Sequence, residues 1–377
     1  MSVKMFLIAV VLAFVAQGAI FASALRDRQI GTEARTENAE YRTSSGNEKI
    51  QTDWLFIYYM PYDNNLSIYG QYIVKFIGEN ILSENVIAVI QAEYANSNGM
   101  KRYLISNSGI TVTSIDNDRS ASIQTYREYL EWVKDNVEYN KLAVIFLDHG
   151  GKLDEICLDE RPIYQFLKID DVASVLIDVL GENSIELLFL QVCTKGVIEA
   201  LYEFRNTAKY TLSSQIILGA PNYYYPGLFS AFSNHTISTG YEAAELIVNN
   251  ETTDMYSSYT LIDNSKMENL HSLFSEYINQ IRNRNIVLSG IPITNYYADE
   301  IYWDTISFLQ NMPESEYRTR LTEYIKNELI VIYKVNPLHI RAMDAYSGLS
   351  MSGVTDNKYD RLVFYKLLEP IRELLIQ

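Results

Sequence analysis

A chain of 377 residues is long enough to bury a sizeable core as one large or two ordinary domains. Its 48% hydrophobic and 21% charged residues place it among globular proteins rather than disordered or fibrous ones. A formal net charge of -16 would repel a nucleic-acid backbone or an anionic membrane at long range, so neither is the expected partner.

The first 24 residues read as a signal peptide. Lys4 supplies the positive start, Met5 to Ala16 an apolar stretch too short to span a bilayer comfortably, and Ala22-Ser23-Ala24 a small-x-small cleavage site. The mature chain would begin near Leu25, be secreted or sit at the cell surface, and carry no transmembrane helix. A retained anchor competes with this, because the apolar region runs on to Phe21. Residues 25–51 are polar and aromatic-poor, the composition of a disordered leader. Residues 52–377 contain no linker or repeat and read as one domain with a helical C-terminal extension.

Order is expected from Trp54. Trp54 to Met60 reads as a buried strand halted by Pro61 and the turn formers Asp63-Asn64-Asn65, with Asn64 or Asn65 capping a helix from Leu66 to Ile81. A strand at Val86 to Gln91 and a hairpin of Arg102–Ser106 with Ile110–Ile115 follow. Tyr126, Tyr129, Leu130 and Val133 then mark one face of a helix over Ser122 to Val137. Leu142 to Leu147 is a third buried strand, and an acidic loop with Asp154, Glu155, Asp159 and Glu160 leads to a helix from Ile169 to Leu180.

Ile185 to Leu190 is the fourth strand, with a helix over Gly196 to Ala208 and a strand over Tyr210 to Ser214. The segment after Ala220, PNYYYPGLF, reads as a loop, and Gly240 to Asn249 as a helix. Tyr256 to Ile262 predicts a strand, Leu270 to Ile281 a helix, Thr294 to Tyr333 mostly helix, Gly348 to Ser352 a late strand and Tyr359 to Leu375 a closing helix. Alternating strands and helices imply right-handed crossovers and a mostly parallel central sheet covered on both faces, an α/β sandwich.

Two of these strands stop at reactive side chains. LAVIFLDHGG ends in His149 and IELLFLQVCTKG in Cys193, and open parallel sheets place their chemistry at the carboxyl ends of strands. The separation of 193 - 149 = 44 positions accommodates one helical crossover, so thiol and imidazole can converge at one edge. A thiol nucleophile needs a base for its proton and backbone N–H groups facing the developing oxyanion. Cys193 and His149 supply the first two, and the N–H groups of Gly150 and Cys193 are the natural oxyanion pair. Tyr223, Tyr224 and Tyr225 are candidates for lining a specificity pocket, with an ordinary packed loop as the equal alternative.

Other chemistry is less well supported. Cys157 and Cys193 invite a disulfide in an exported chain, which would consume the nucleophile. His235, His271 and His339 lack ligand spacing, so no zinc site is expected. Asp148 should point away from its neighbour His149 and serve structure rather than orient the imidazole.

The set Tyr59-Met60-x-x-Asp63-Asn64-Asn65-Leu66, Asp148-His149-Gly150-Gly151 and Cys193 closed by Gly196 resembles the clostripain family of cysteine endopeptidases, relatives of caspases, legumain and gingipain. Ser213-Ser214-Gln215, Thr260 to Lys266 and Ser347 to Ser350 extend the likeness over about residues 52–370. The resemblance implies a caspase-like fold, a His149–Cys193 dyad, and peptide-bond hydrolysis through an acyl-enzyme on a protein or peptide substrate. The family turn usually reads Asp-Ala-Cys-Leu-Met-Gly, its acidic residue holding a basic P1 side chain. This chain has Gln191-Val192-Cys193-Thr194-Lys195-Gly196, and Ser214-Gln215 stands where the family often has Glu. Gln191, Ser214 and Tyr224 are therefore the candidate substrate-binding residues, and a P1 residue that is not basic is expected.

By analogy with the family, Lys152, Arg161 and Lys168 are candidate self-cleavage sites, made less favourable by the lost acidic pocket. Some members use calcium; here the acidic loop lacks an ordered ligand spacing and reads rather as solvated, so no cofactor is expected. A monomer is expected. The altered turn also leaves open a second class of function, a caspase-type fold kept as a catalytically inactive binding or surface protein.

Overall fold

A computed structural model describes residues 49–234, 237–282, 293–295, 300–336 and 346–373, all within one compact unit, Thr43–Gln377. The predicted signal peptide, nearly all of the predicted leader, His235, His339 and the chain after residue 373 lie outside the described residues.

Strand β1 (Ile50–Tyr62) is the axis of the fold, with successive residues alternating between two cores. Leu55, Ile57 and Tyr59 enter one hydrophobic cluster, while Trp54, Phe56, Tyr58, Met60 and Tyr62 enter the other. A strand buried on both faces must be apolar at nearly every position, hence the unbroken run WLFIYYM. β1 begins four residues before Trp54, because its first rungs pair Ile50, Gln51 and Thr52 with Val137, Glu138 and Tyr139 of β5 (Val137–Leu147) at the open end of the sheet.

The nine-stranded sheet runs β13-β10-β9-β8-β5-β1-β2-β3-β4. β2 (Val86–Tyr94), β1, β5, β8 (Ile185–Gln191) and β9 (Ala208–Ser213) are parallel. The hairpin β3 (Met100–Ser106)–β4 (Gly109–Ile115) extends one side antiparallel, β3 pairing with β2. Antiparallel β10 (Ser258–Asp263) and β13 (Ile330–Val335) extend the other. The mostly parallel, doubly covered α/β sheet is thus present.

Helix α1 (Ser67–Asn80), α5 (Tyr225–Asn234) and α6 (Gly240–Asn250) bury residues in the cluster that holds Trp54 and Phe56. α2 (Ile123–Asn136), α3 (Ile169–Leu180), α4 (Ile198–Glu203) and α7 (Met267–Ile281) cover the opposite face. The predicted stripe Tyr126, Tyr129, Leu130 and Val133 is the buried face of α2. α3 starts with Asp170 and Asp171 against its positive end and stops at Gly181. α6 carries a full capping box between Thr239 and Glu242.

Several expectations need correction. The acidic loop is a hairpin of β6 (Glu155–Asp159) and β7 (Gln165–Lys168), too short for its alternation to stand out. Its acids are not simply solvated: Asp154 and Asp159 are buried, Lys168 pairs with Asp154 and Glu155, and Arg361 also pairs with Asp154. In PNYYYPGLF the helix α5 already starts at Tyr225, with Pro226 in its first turn, where a missing N–H does no harm. The helix over 196–208 shrinks to α4.

The stretch 294–333 is mostly helical among its described residues, with a π-helical turn at Ile325–Leu329, but it also holds strands that the helical reading does not include. It includes β12 (Ile301–Asp304), which joins β11 (Ile293–Asn295) and β14 (Ser350–Ser352) in a small sheet, then α8 (Thr305–Asn311), α9 (Glu316–Tyr324) and the β-branched strand β13. The closing helix is broken into a 3-10 turn (Asn357–Tyr359), α10 (Val363–Leu367) and α11 (Glu369–Glu373), the last beginning beside helix-interrupting Pro370.

Candidate active site

From β1 the chain crosses to β2 on one side, while β5 and β8 lie on the other. The strand order therefore reverses between β1 and β5, and in open α/β sheets ligands bind beyond the carboxyl ends of the strands at such a switch point. β5 and β8 pair in parallel with Leu147 opposite Gln191. His149 and Cys193 each follow that rung by two residues (149 - 147 = 2; 193 - 191 = 2) and so leave the sheet side by side. Gly150 lies against the Cys193 backbone so closely that an added Cβ would overlap the Cys193 carbonyl oxygen. Only glycine allows the two loops to meet in this way.

The His149 loop is fastened from several directions. Asn65 Oδ1 lies 2.7 Å from His149 Nε2. An amide oxygen only accepts, so the proton sits on Nε2 and Nδ1 keeps its lone pair. The His149 carbonyl accepts from Cys157 N–H at 2.9 Å. Asp148 is buried and held by Asn64, whose Nδ2 donates to Asp148 Oδ1 at 2.8 Å and to the Leu158 carbonyl at 3.0 Å. This agrees with a structural Asp148, and burial pushes its carboxyl well above the usual range. Gly151 then takes φ +59°, leading the chain towards β6.

The Cys193 turn is fastened through its backbone. Thr194 N–H donates to the Ile216 carbonyl at 2.6 Å, Gly196 N–H to Ser214 at 2.7 Å, and Ser350 N–H to the Gly196 carbonyl at 2.7 Å. Thr194 adopts φ +58°, an unusual conformation for a β-branched residue at the foot of a tight turn. The thiol of half-buried Cys193 lies 3.5 Å from the Leu218 carbonyl. Burial pushes that thiol up, opposed by the Leu218 hydrogen bond and the Lys195 charge, while burial pushes the His149 imidazole down. Both shifts favour a neutral resting pair over a thiolate–imidazolium pair. Cys157 and Cys193 are both free, which overturns the disulfide alternative; Cys157 is fully buried and its thiol is raised by burial.

Behind the turn, Gln191 Nε2 donates to Asn222 Oδ1, and Tyr224 OH donates to Gln191 Oε1 at 2.9 Å. Asn222 Nδ2 passes the chain to Glu251 at 2.8 Å. Glu251 also accepts from Tyr223 N–H, Thr252 N–H and, at 3.4 Å, Tyr259 OH. Gln191, Tyr224 and Ser214 are all buried, Ser214 Oγ lying 3.4 Å from Ser258 Oγ. These three stand beneath the cysteine turn as a packed polar wall. Tyr225 is buried as well, and Tyr223 is half-buried.

Among the proposed self-cleavage positions, Arg161 lies on the exposed tip of the β6–β7 hairpin and pairs with Asp63. Lys168 pairs with Asp154 and Glu155. His271 stacks on Tyr202, away from any ligand set. Among the described residues, no group of three or more His, Cys, Asp and Glu side chains converges as a metal would require.

Two residues of the site were read differently from the sequence alone. Asn65 was treated as a helix cap, although its place in Asp63-Asn64-Asn65 directly after β1 was a usable signal. Neither asparagine caps α1, which follows a turn in which Asn64 Oδ1 accepts from Leu66 N–H. Lys195, two residues past Cys193, carries no local sign of burial, yet its side chain is fully buried.

The mostly parallel sheet, covered by helices on both faces, is that of a caspase-like fold. The clostripain family profile matches residues 58–367, and the chain belongs to that family of cysteine peptidases. Two solved structures illustrate the likeness. A secreted C11 cysteine protease from Bacteroides thetaiotaomicron, in complex with an irreversible peptide inhibitor, superposes with a TM-score of 0.67 at 15% identity over 85% of this chain and 99% of that one. An inactive zymogen C11 protease from Parabacteroides distasonis gives 0.64 at 16% identity over 86% and 98%. At such identities the likeness carries the fold alone. No curated protein sequence matches the chain significantly.

Proposed function

We propose that the protein is an exported cysteine endopeptidase acting through a Cys193–His149 dyad on peptide bonds whose P1 residue is not basic. The observation that carries the dyad is the shared register, which sets both side chains two residues beyond one rung of the β5–β8 pair. Cys193 Sγ attacks the scissile carbonyl as His149 Nδ1 takes its proton, the N–H groups of Gly150 and Cys193 receive the oxyanion, and the imidazolium returns the proton to the leaving amine. Water then cleaves the acyl-enzyme with His149 again as base. Asn65 holds the imidazole in the tautomer this requires.

The P1 reading rests on the wall beneath Cys193. Gln191 brings no charge, and the carboxylate of its network, Glu251, is occupied by four donors. A buried carboxylate already filled in this way has little left for an incoming ammonium or guanidinium. Export is supported by the Lys4, Met5–Ala16 and Ala22-Ser23-Ala24 pattern. Among the described residues no helix is long and apolar enough to cross a membrane.

Profiling the mature chain on a positional-scanning peptide library tests activity and selectivity together. Cleavage after uncharged residues, abolished in Cys193→Ala and His149→Ala, is expected. Turnover confined to Arg and Lys would overturn the selectivity, and the absence of turnover and of thiol labelling would return the chain to the class of inactive binding proteins.

A further inference from the structure

Lys195 is an odd residue to find two positions after a nucleophile. Its side chain is fully buried, and an unpaired ammonium in such a place is costly. Its Nζ donates to the Lys152 carbonyl at 2.6 Å and lies 3.5 Å from the Gly151 carbonyl. Both carbonyls belong to the loop that leaves His149. The lysine therefore spans from one half of the dyad to the other.

The far side of that loop is fixed as well. Lys152 N–H donates to Glu155 at 2.9 Å, and Leu153 N–H donates to buried Glu300 at 3.0 Å. Glu300 is held in turn by Tyr302, Tyr359 and Lys358. The charged and titratable groups facing Lys195 are Glu300, Glu155 and Asp154 together with the Cys193 thiol. Lys168 and Arg361 counter Glu155 and Asp154.

We propose that Lys195 is a positioning residue, an ammonium strap that holds the His149 loop at working distance from Cys193 and favours the thiolate as it forms. The inference rests on the Cys193–His149 reading of the site. With the strap in place, the Gly151 and Lys152 carbonyls face the ammonium rather than the reacting centre. Its positive charge also opposes the burial that raises the thiol. Without it, the loop keeps its outer ties to Glu155 and Glu300 but loses its tie to the nucleophile's own turn.

The test is Lys195→Met in the mature chain, alongside Lys195→Arg. Methionine approximates the length and removes the buried charge but leaves the Lys152 carbonyl without its donor, a loss for which Lys195→Arg is the control. The expected result is a fall of about tenfold in kcat with KM little changed. The pH midpoint for iodoacetamide labelling of Cys193, read in a Cys157→Ala background, should rise by about one unit, with Lys195→Arg restoring part of that shift.

Burial puts the Lys195 pKa at about 8, below its ordinary 10.5, so across that window the unfolded chain binds more protons than the folded one. Wild-type stability should therefore climb with pH through the window, a climb that Lys195→Met lacks. A Lys195→Met chain with unchanged kcat and labelling midpoint would overturn the strap, as would one whose only change is in thermal stability. Loss of the dyad reading looks different: turnover would then survive Cys193→Ala.

Discussion

The two loops that carry the proposed dyad are held by different means. The Cys193 turn is stapled through peptide groups, with Thr194, Gly196 and Ser350 N–H groups each bonded to a neighbouring carbonyl. The His149 loop depends more heavily on side chains: Asn65 on the ring, Asn64 on Asp148, Glu300 on Leu153 and Lys195 on the carbonyls of Gly151 and Lys152. Hydrogen bonds between main-chain groups survive most substitutions, whereas side-chain ties can be removed one at a time. The loop of the proposed base is therefore the mutable half and the turn of the proposed nucleophile the fixed half.

The strongest way to break this contrast is at the contact both loops share. Gly150→Ala adds a methyl group that overlaps the Cys193 carbonyl oxygen, so both loops must move apart. Steady-state kinetics on a cleaved peptide should show a loss of about 100-fold in kcat/KM, the scale of a misplacement near 1 Å. A near-normal rate would mean that the loops can part without harm.

Asn65→Ala removes a tie on the base alone. A drop of about 30-fold in kcat is expected with KM close to wild type, because the ring loses its tautomer and direction but the substrate wall is untouched. If kcat holds and KM rises instead, Asn65 contacts substrate rather than orienting His149.

The smallest effect belongs to the nucleophile's turn. Thr194→Gly gives up one hydrogen bond from its hydroxyl to the Cys193 carbonyl but relieves a threonine at φ +58°. The two changes are each about 1 kcal/mol and opposed, so thermal stability and kcat should stay within about twofold of wild type. A large loss of activity here would show that a side chain, and not the peptide staples, fixes Cys193.

The sequence revealed the sheet, and pointed to the proposed dyad, for one physical reason. Buried parallel strands must be apolar throughout, so WLFIYYM, LAVIFL and IELLFL announce themselves, and His149 and Cys193 are conspicuous where such runs stop. The ties around them are long-range: Asn65 lies 84 positions from His149, and the Lys195 contacts span 43 and 44. Local pattern therefore offers Asn65 only as a candidate cap and shows nothing of the partners of Lys195. The same blindness turned the β6–β7 hairpin into a solvated loop, since its acids are buried by Lys168 and by Arg361, a residue 207 positions from Asp154. Ser214 follows β9 directly and Tyr224 directly precedes α5, and nothing local indicates that both side chains are buried.

One consequence of β1 concerns presentation. It runs 13 residues, about 40 Å at the rise of an extended strand, from Ile50 at one end of the sheet to Tyr62 beside the His149 loop. The chain before Ile50 is thus joined to the end opposite the reactive groups. Immobilised by its amino end on a bead, a wall or a partner, the domain would stand with its strand exits outward, and bulky polypeptides could approach them from open solution.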